Sequence, residues 1–146
     1  MTREIKFRLW NPKENVLTAG LHLNIILLTT DSEFVNDFNK SGMIWMQYTG
    51  FKDSKGIECY EGDIKREEIE EDDGDRRFYY VCVWVKEWAM FAWICITDGE
   101  YQKYLDEGAE SLDEFMFWTY TFNEDDIAKA NICGNIHQNP ELLRHS

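Results

Sequence analysis

Along the first ten residues, Ile5, Phe7 and Leu9 alternate with Lys6, Arg8 and Trp10, the period-two pattern of a half-buried strand whose apolar face is Ile5, Phe7 and Leu9. Asn11-Pro12-Lys13-Glu14-Asn15 ends it, because proline cannot donate to a ladder and asparagine favours a turn. The chain therefore returns through Val16 to Thr18 as a hairpin. LHLNIILL (21–28) is strand or helix by periodicity alone, and its Ile and Leu content followed by Thr29-Thr30 favours strand. Thr30 to Glu33 has the spacing of a capping box and predicts a short helix with Phe34, Val35 and Phe38 as its apolar stripe, closed at Ser41-Gly42. Strand character resumes over Met43 to Thr49.

Asp53-Ser54-Lys55-Gly56 places Asp first and Gly fourth in a turn between apolar runs, and predicts a hairpin. Glu61-Gly62-Asp63 follows: glycine permits a positive φ and Asp63 can bond nearby backbone amides, so the chain turns a corner and a strand begins at Ile64. The acidic run over 67–75 reads as an exposed loop. FYYVCVWV (78–85) and MFAWICIT (90–97), rich in β-branched and aromatic residues, predict two central strands joined by Lys86-Glu87-Trp88. Tyr101, Tyr104 and Leu105 have helical spacing over 100–107, with Gly108 as the stop. Ser111 to Glu114 repeats the capping-box spacing before FMFWTYTF, which fits neither period. Cys133-Gly134-Asn135 bends a last strand over 132–136, and Asn139-Pro140 opens a terminal helical turn. No linker or repeat interrupts the 146 residues, so they read as one domain with a helical insertion around 99–128.

Composition narrows the function classes. Aromatic residues are 15% of the chain and include six Trp, ample material for a core, so global disorder is excluded. The net charge of −13 disfavours direct binding to nucleic acid or to an anionic membrane and leaves a basic partner open. Cys59, Cys82, Cys95 and Cys133 are widely spaced without a Cys-x-x-Cys pair and read as buried thiols of a reducing compartment. The opening MTREIKFRLW has no apolar signal-peptide core, and LHLNIILL is far too short to span a bilayer, which together point to the cytoplasm.

Three blocks carry a resemblance: REIKFRLWNPKEN near the N-terminus, MQYTGFKDSKGIECYEGDI in the centre and GNIHQNPELL near the C-terminus. Together they cover just under a third of the chain, and in this order they resemble the YopX family of phage and prophage proteins. The resemblance implies a mainly β fold, a small SH3-like barrel with flanking hairpins and a short helical insertion. It implies a bacterial host cell as the setting, and it brings no catalytic residues and no cofactor. Segments 17–42 and 99–128 lie outside the three blocks and read as elaborations of this chain.

Candidate chemistry is weighed against turn and core roles. Glu61 and Asp63 are an acid pair that can serve general acid/base or divalent-metal chemistry, but their place beside Gly62 favours turn chemistry. Asp53, Gly56, Glu61, Gly62, Asp63, Gly134 and Asn135 are accordingly read as fold-signature turn residues. The 67–75 run fails the calcium-loop pattern, which puts Ile69 and Tyr80 at ligand positions. Cys133, His137 and His145 fall short of the paired spacing of a structural zinc site. No nucleophile elbow, phosphate loop or dinucleotide fingerprint is present. Among the aromatics, Trp10, Tyr48, Tyr60 and Trp88 are candidate binding residues; Trp84 and Trp93 complete the set from which a binding surface is drawn. Most of these aromatics are expected in the core, and Trp10 and Trp88, which lie in or beside turns, are the best candidates for exposure. The leading reading is a non-enzymatic accessory protein of a phage or mobile element that binds another protein or self-assembles, possibilities that include a homo-oligomer. Its rivals are an acidic nucleic-acid mimic and an acid-dependent metal hydrolase, the latter requiring Glu61, Asp63 and the 67–75 acids to converge.

Overall fold

The computed structural model describes residues 5–22, 42–71, 74–112 and 131–144. Lys6–Asn11 (β1) and Val16–His22 (β2) form the opening hairpin, with Asn11 Oδ1 accepting the amides of Lys13 and Glu14 and Asn15 in the left-handed region at the turn. Ile44–Lys52 (β3) pairs with β1, and Glu58–Tyr60 (β4) pairs with β3 across the Asp53 to Gly56 turn. Asp63–Glu71 (β5), Gly74–Val85 (β6) and Met90–Cys95 (β7) run back and forth, and Ile132–Asn135 (β8) pairs with β5. The result is two antiparallel four-stranded sheets, ordered β2-β1-β3-β4 and β7-β6-β5-β8, curled into a half-barrel. The mainly β small-barrel architecture expected from the sequence is thus present. Glu100–Glu107 (α1) follows β7 and ends at Gly108, whose amide bonds the Tyr104 carbonyl. A 3-10 turn spans Pro140–Arg144. No helix among the described residues is long and apolar enough to cross a membrane.

Ile64, Val81, Val85, Ala92 and Ile94 form the main core, with Tyr101 of α1 and Leu112 packed onto it. Cys59, Cys82, Phe91 and Trp93 fill a second cluster. β7 stands at the end of its sheet order among the described residues rather than centrally, yet Phe91 to Cys95 are all buried. All four cysteines are free thiols, and Cys133 is exposed rather than buried.

Two expectations are corrected. In β1 the apolar face was expected inside, but Lys6, Arg8 and Trp10 are buried together with Leu9, while Ile5 is exposed and Phe7 half-buried. The cause is pairing: Lys6 meets Glu58 and Arg8 meets Asp63, and the two cations lie 4.8 and 5.0 Å from the rings of Tyr48 and Tyr60. A charge enters a low-dielectric interior when such partners await it. Of the acidic 67–75 run, expected as a loop, the described residues 67–71 and 74–75 instead lie in β5 and β6, with Glu68 opposite Arg77 and Glu70 opposite Asp75. Glu68 lies 3.4 Å from Arg77 and 3.7 Å from Arg66, so basic residues across and along the ladder offset its charge. The capping box at 30–33, its helix, residues 23–28 and the FMFWTYTF stretch lie outside the described residues.

The corner at Glu61-Gly62-Asp63 joins the sheets. The Glu61 amide donates to the Gln47 carbonyl of β3 at 2.9 Å, the Gly62 amide to Cys82 of β6 at 2.8 Å, and the Ile136 amide to Gly62 at 3.0 Å. Gly62 has φ +89°, and a Cβ there would sit 3.1 Å from Met46 Sδ and 3.7 Å from the Arg8 guanidinium. Gly56 has φ +81° but open space around it. In urea unfolding, Gly56→Ala is expected to cost the left-handed strain alone, about 1–2 kcal/mol. Gly62→Ala is expected to exceed that by at least about 1 kcal/mol, the order of an overpacking penalty; equal costs would contradict the role assigned to the corner.

Candidate functional site: an aromatic cleft over a buried ion pair

Arg8 organises the floor of the site from β1. Its Nη1 lies 2.6 Å from Asp63 Oδ1, and its Nη2 donates to the Glu61 carbonyl at 3.1 Å. Asp63 Oδ2 in turn accepts the Tyr60 amide at 2.8 Å. Both charged side chains are almost wholly excluded from water. Burial raises the Asp63 pKa, against which Arg8 and the Tyr60 amide pull it down. Glu61 is only partly covered; burial raises its carboxyl too, opposed by the Gln47 amide and by Arg8.

Above this floor opens a cleft of about 370 Å³. β3 contributes Ile44 and Trp45, β6 contributes Trp84, and α1 contributes Tyr104 and Leu105. Glu61, Gly62 and His137 line it as well. Four of the rim side chains are large apolar groups left in water: Ile44 at 39%, Trp45 at 37%, Trp84 at 41% and Leu105 at 56% exposure. They come from three elements, and the two tryptophans are braced by aromatic neighbours. Trp84 packs edge-on against Phe91 at 5.0 Å, and Trp45 against Phe7 at 6.0 Å. His137 stacks on Trp10 at 5.6 Å, and burial together with Arg8 lowers its pKa, so the ring is neutral near pH 7. The Tyr104 phenol is raised by burial and then by Glu87 and Glu61, two carboxylates acting on one side of the cleft.

The residues singled out in the sequence have different places. Trp10, a candidate for exposure beside its turn, is only 5% exposed, because its β1 position faces inward and His137 covers it. Trp88 is half-buried against the main core. Tyr48 and Tyr60 are buried partners across β3 and β4, 5.4 Å apart, and they cover Lys6 and Arg8. None of these four lines the cleft. Asp53 and Asn135 act as turn residues: Asp53 accepts the amides of Lys55, Ile57 and Ile132, and Asn135 Oδ1 those of His137 and Gln138. At Gly134 a Cβ would meet Asn139 Oδ1 at 2.4 Å. Sequence reasoning missed Ile44, Trp45, Tyr104 and Leu105 as site residues. In Trp45 the signal was present, since it alternates with the buried Met46 and Tyr48 on one strand.

For metal chemistry, no group of three His, Cys, Asp or Glu converges among the described residues. The Asp63 carboxylate is occupied by Arg8 and the Tyr60 amide, and Glu67 and Glu68 run outward along β5 as exposed residues. Cys133 Sγ points to the Ile64 carbonyl at 3.5 Å, while His137 is stacked on Trp10.

The model of the YopX protein family matches residues 6–144. The chain belongs to the YopX family. The matched span includes 17–42 and 99–128. Comparison with curated proteins finds no match. Among solved structures, this YopX family chain is similar to protein EF1440 from Enterococcus faecalis, with a TM-score of 0.57 and 21% identity over 98% of this chain and 100% of that one. At that identity the likeness shows the fold. The three blocks legible in the sequence meet in space at the corner, where Arg8, Gly62 and Ile136 lie together.

Two measurements test the floor. Breaking a buried pair leaves an uncompensated charge, so Arg8→Met is expected to cost about 3–5 kcal/mol, and Arg8→Met with Asp63→Asn markedly less than the sum of the two single changes. Additive costs in a double-mutant cycle would contradict a coupled pair. Glu61 holds its proton more tightly folded than unfolded, so its ionised form costs stability above the folded pKa, and that cost is relieved as pH falls through it. His137 works in the opposite sense but is common to both proteins when wild type and Glu61→Gln are compared. The Tm of wild type relative to Glu61→Gln is expected to rise as pH falls from 7.5 towards 4.5; a constant difference would contradict it.

Proposed function

We propose that this YopX family chain is a non-enzymatic protein-binding module of a phage or mobile element, acting in the cytoplasm of the bacterial host. The cleft between β3, β6 and α1 takes an apolar, positively charged segment of a partner protein. The observation that carries this reading is the convergence of four exposed large apolar side chains on one cleft. Apolar area of this kind, clustered around a concavity and built on rigid elements, supplies contact energy at low entropic cost. The net charge of −13 steers a basic segment towards it and disfavours acidic competitors. The acidic-mimic reading has less support, because Glu68 on the β5–β6 hairpin is interleaved with Arg66 and Arg77 instead of standing in an unpaired row.

A photo-crosslinking amino acid at Leu105, introduced into the full chain in a bacterial host, tests the reading against the same group at Ser54 on the exposed β3–β4 turn. The expected result is a discrete protein adduct from position 105, none from 54, and a yield reduced about tenfold by Trp84→Ala, the loss of one hot-spot aromatic. Adducts of equal yield at both positions, or none at 105, would overturn it.

A further inference from the structure

We propose that Glu61 makes the cleft a recognition site for a single cationic side chain: the ammonium or guanidinium head meets the Glu61 carboxylate while its methylene stem lies along Trp45, Trp84 and Leu105. The inference rests on the docking reading above and specifies what that site selects.

The anion is held in place before any ligand arrives. The Glu61 amide is tied to Gln47, its carbonyl accepts Arg8, and the next amide is tied to Cys82, so the residue is anchored on both sheets at once. Arg8 eases the charge of the carboxylate but makes no ion pair with it: its guanidinium bonds Asp63 and the Glu61 carbonyl, and it is buried beneath the cleft. Among the described residues no ion pair engages the Glu61 side chain. A partly desolvated carboxylate that has the Gln47 amide and the field of Arg8 but no direct ion pair among the described residues, at the wall of a concavity, is complementary to a cation brought in from outside.

The rest of the cleft matches the same ligand. Trp45, Trp84 and Tyr104 offer π faces, which attract a cation and repel an anion. Leu105 and Ile44 suit the aliphatic stem of lysine or arginine, whose length lets the head reach a charge while the stem lies on apolar surface. His137, the basic group that lines the cleft, is neutral near pH 7 and does not compete for Glu61. Glu87 adds a second negative field on the Tyr104 side. Polarity and sign of charge therefore select one ligand class, and a carboxylate or phosphate is disfavoured by the sign of charge.

The probes are n-butylguanidinium and n-butylammonium, with n-pentanol as the neutral counterpart, titrated into the full chain at matched ionic strength and followed by the indole N–H signals of Trp45 and Trp84. Both cations are expected to shift the two signals saturably, with affinity about tenfold above the alcohol. In Glu61→Gln the cations are expected to fall to the alcohol's level. Trp84→Leu, which keeps an apolar wall and removes a π face, is expected to weaken the cations and leave the alcohol unchanged, a test that survives if Glu61→Gln fails to fold. Equal affinity for cation and alcohol in the wild type, or cation binding unchanged in both variants, overturns the inference. If the Leu105 adduct persists and depends on Trp84 while the cations do not bind, the cation site fails and the docking reading stands. If the cations bind as expected but no adduct forms, the docking reading fails and the cleft is a small-cation site.

Discussion

The guanidinium of Arg8 and the carboxylate of Asp63 lie 2.6 Å apart between two sheets, with scarcely any water reaching either. Each would be intolerable in that place alone, since an isolated buried charge costs several kcal/mol after relaxation. Together they are also bonded to the Tyr60 amide on Asp63 and the Glu61 carbonyl on Arg8, which leaves the buried Arg8 Nε as a donor without a partner among the described residues. The pair requires β1, the Glu61 to Asp63 corner and the end of β4 to keep one relative position. Its worth lies less in net stability than in the single arrangement it permits.

Gly62 completes the constraint. Its positive φ turns the chain, and the absence of a side chain lets Met46, Ile136 and Arg8 close around the backbone. The amides and carbonyls freed at the corner bond to β3, β6 and the segment after β8. A turn that would ordinarily be solvated is thereby a junction between sheets. Glu61 inherits its fixed position from this junction, so the cleft's one anchored carboxylate follows directly from the device that closes the half-barrel.

The cleft is where the architecture leaves apolar surface uncovered. Main-core residues such as Val81 and Ile94 are fully buried beneath α1, but Leu105 on that helix faces water, as do Trp45 and Trp84. The two tryptophans are braced by Phe7 and Phe91, so their exposure is compatible with fixed geometry.

Local signals in the sequence were sufficient for the β1 turn, the Asp53 to Gly56 hairpin, the Gly62 corner, the β6 and β7 strands and α1 with its stop at Gly108, because each depends on neighbours within a few positions. The chemistry of Asp63 as a backbone acceptor was legible in the same way, from its place beside glycine. Three matters were decided only in the tertiary structure. The inward face of β1 is set by Glu58 and Asp63, which offer counter-charges to Lys6 and Arg8 from far along the chain, and periodicity cannot register a distant partner. The described part of the acidic run lies in the β5–β6 ladder, where Arg77 falls opposite Glu68, a matter of register rather than composition. The cleft required Trp45, Trp84, Leu105 and Glu61 to be brought from four separate elements to one place, since solvent exposure is a property of the packed surface and not of any segment.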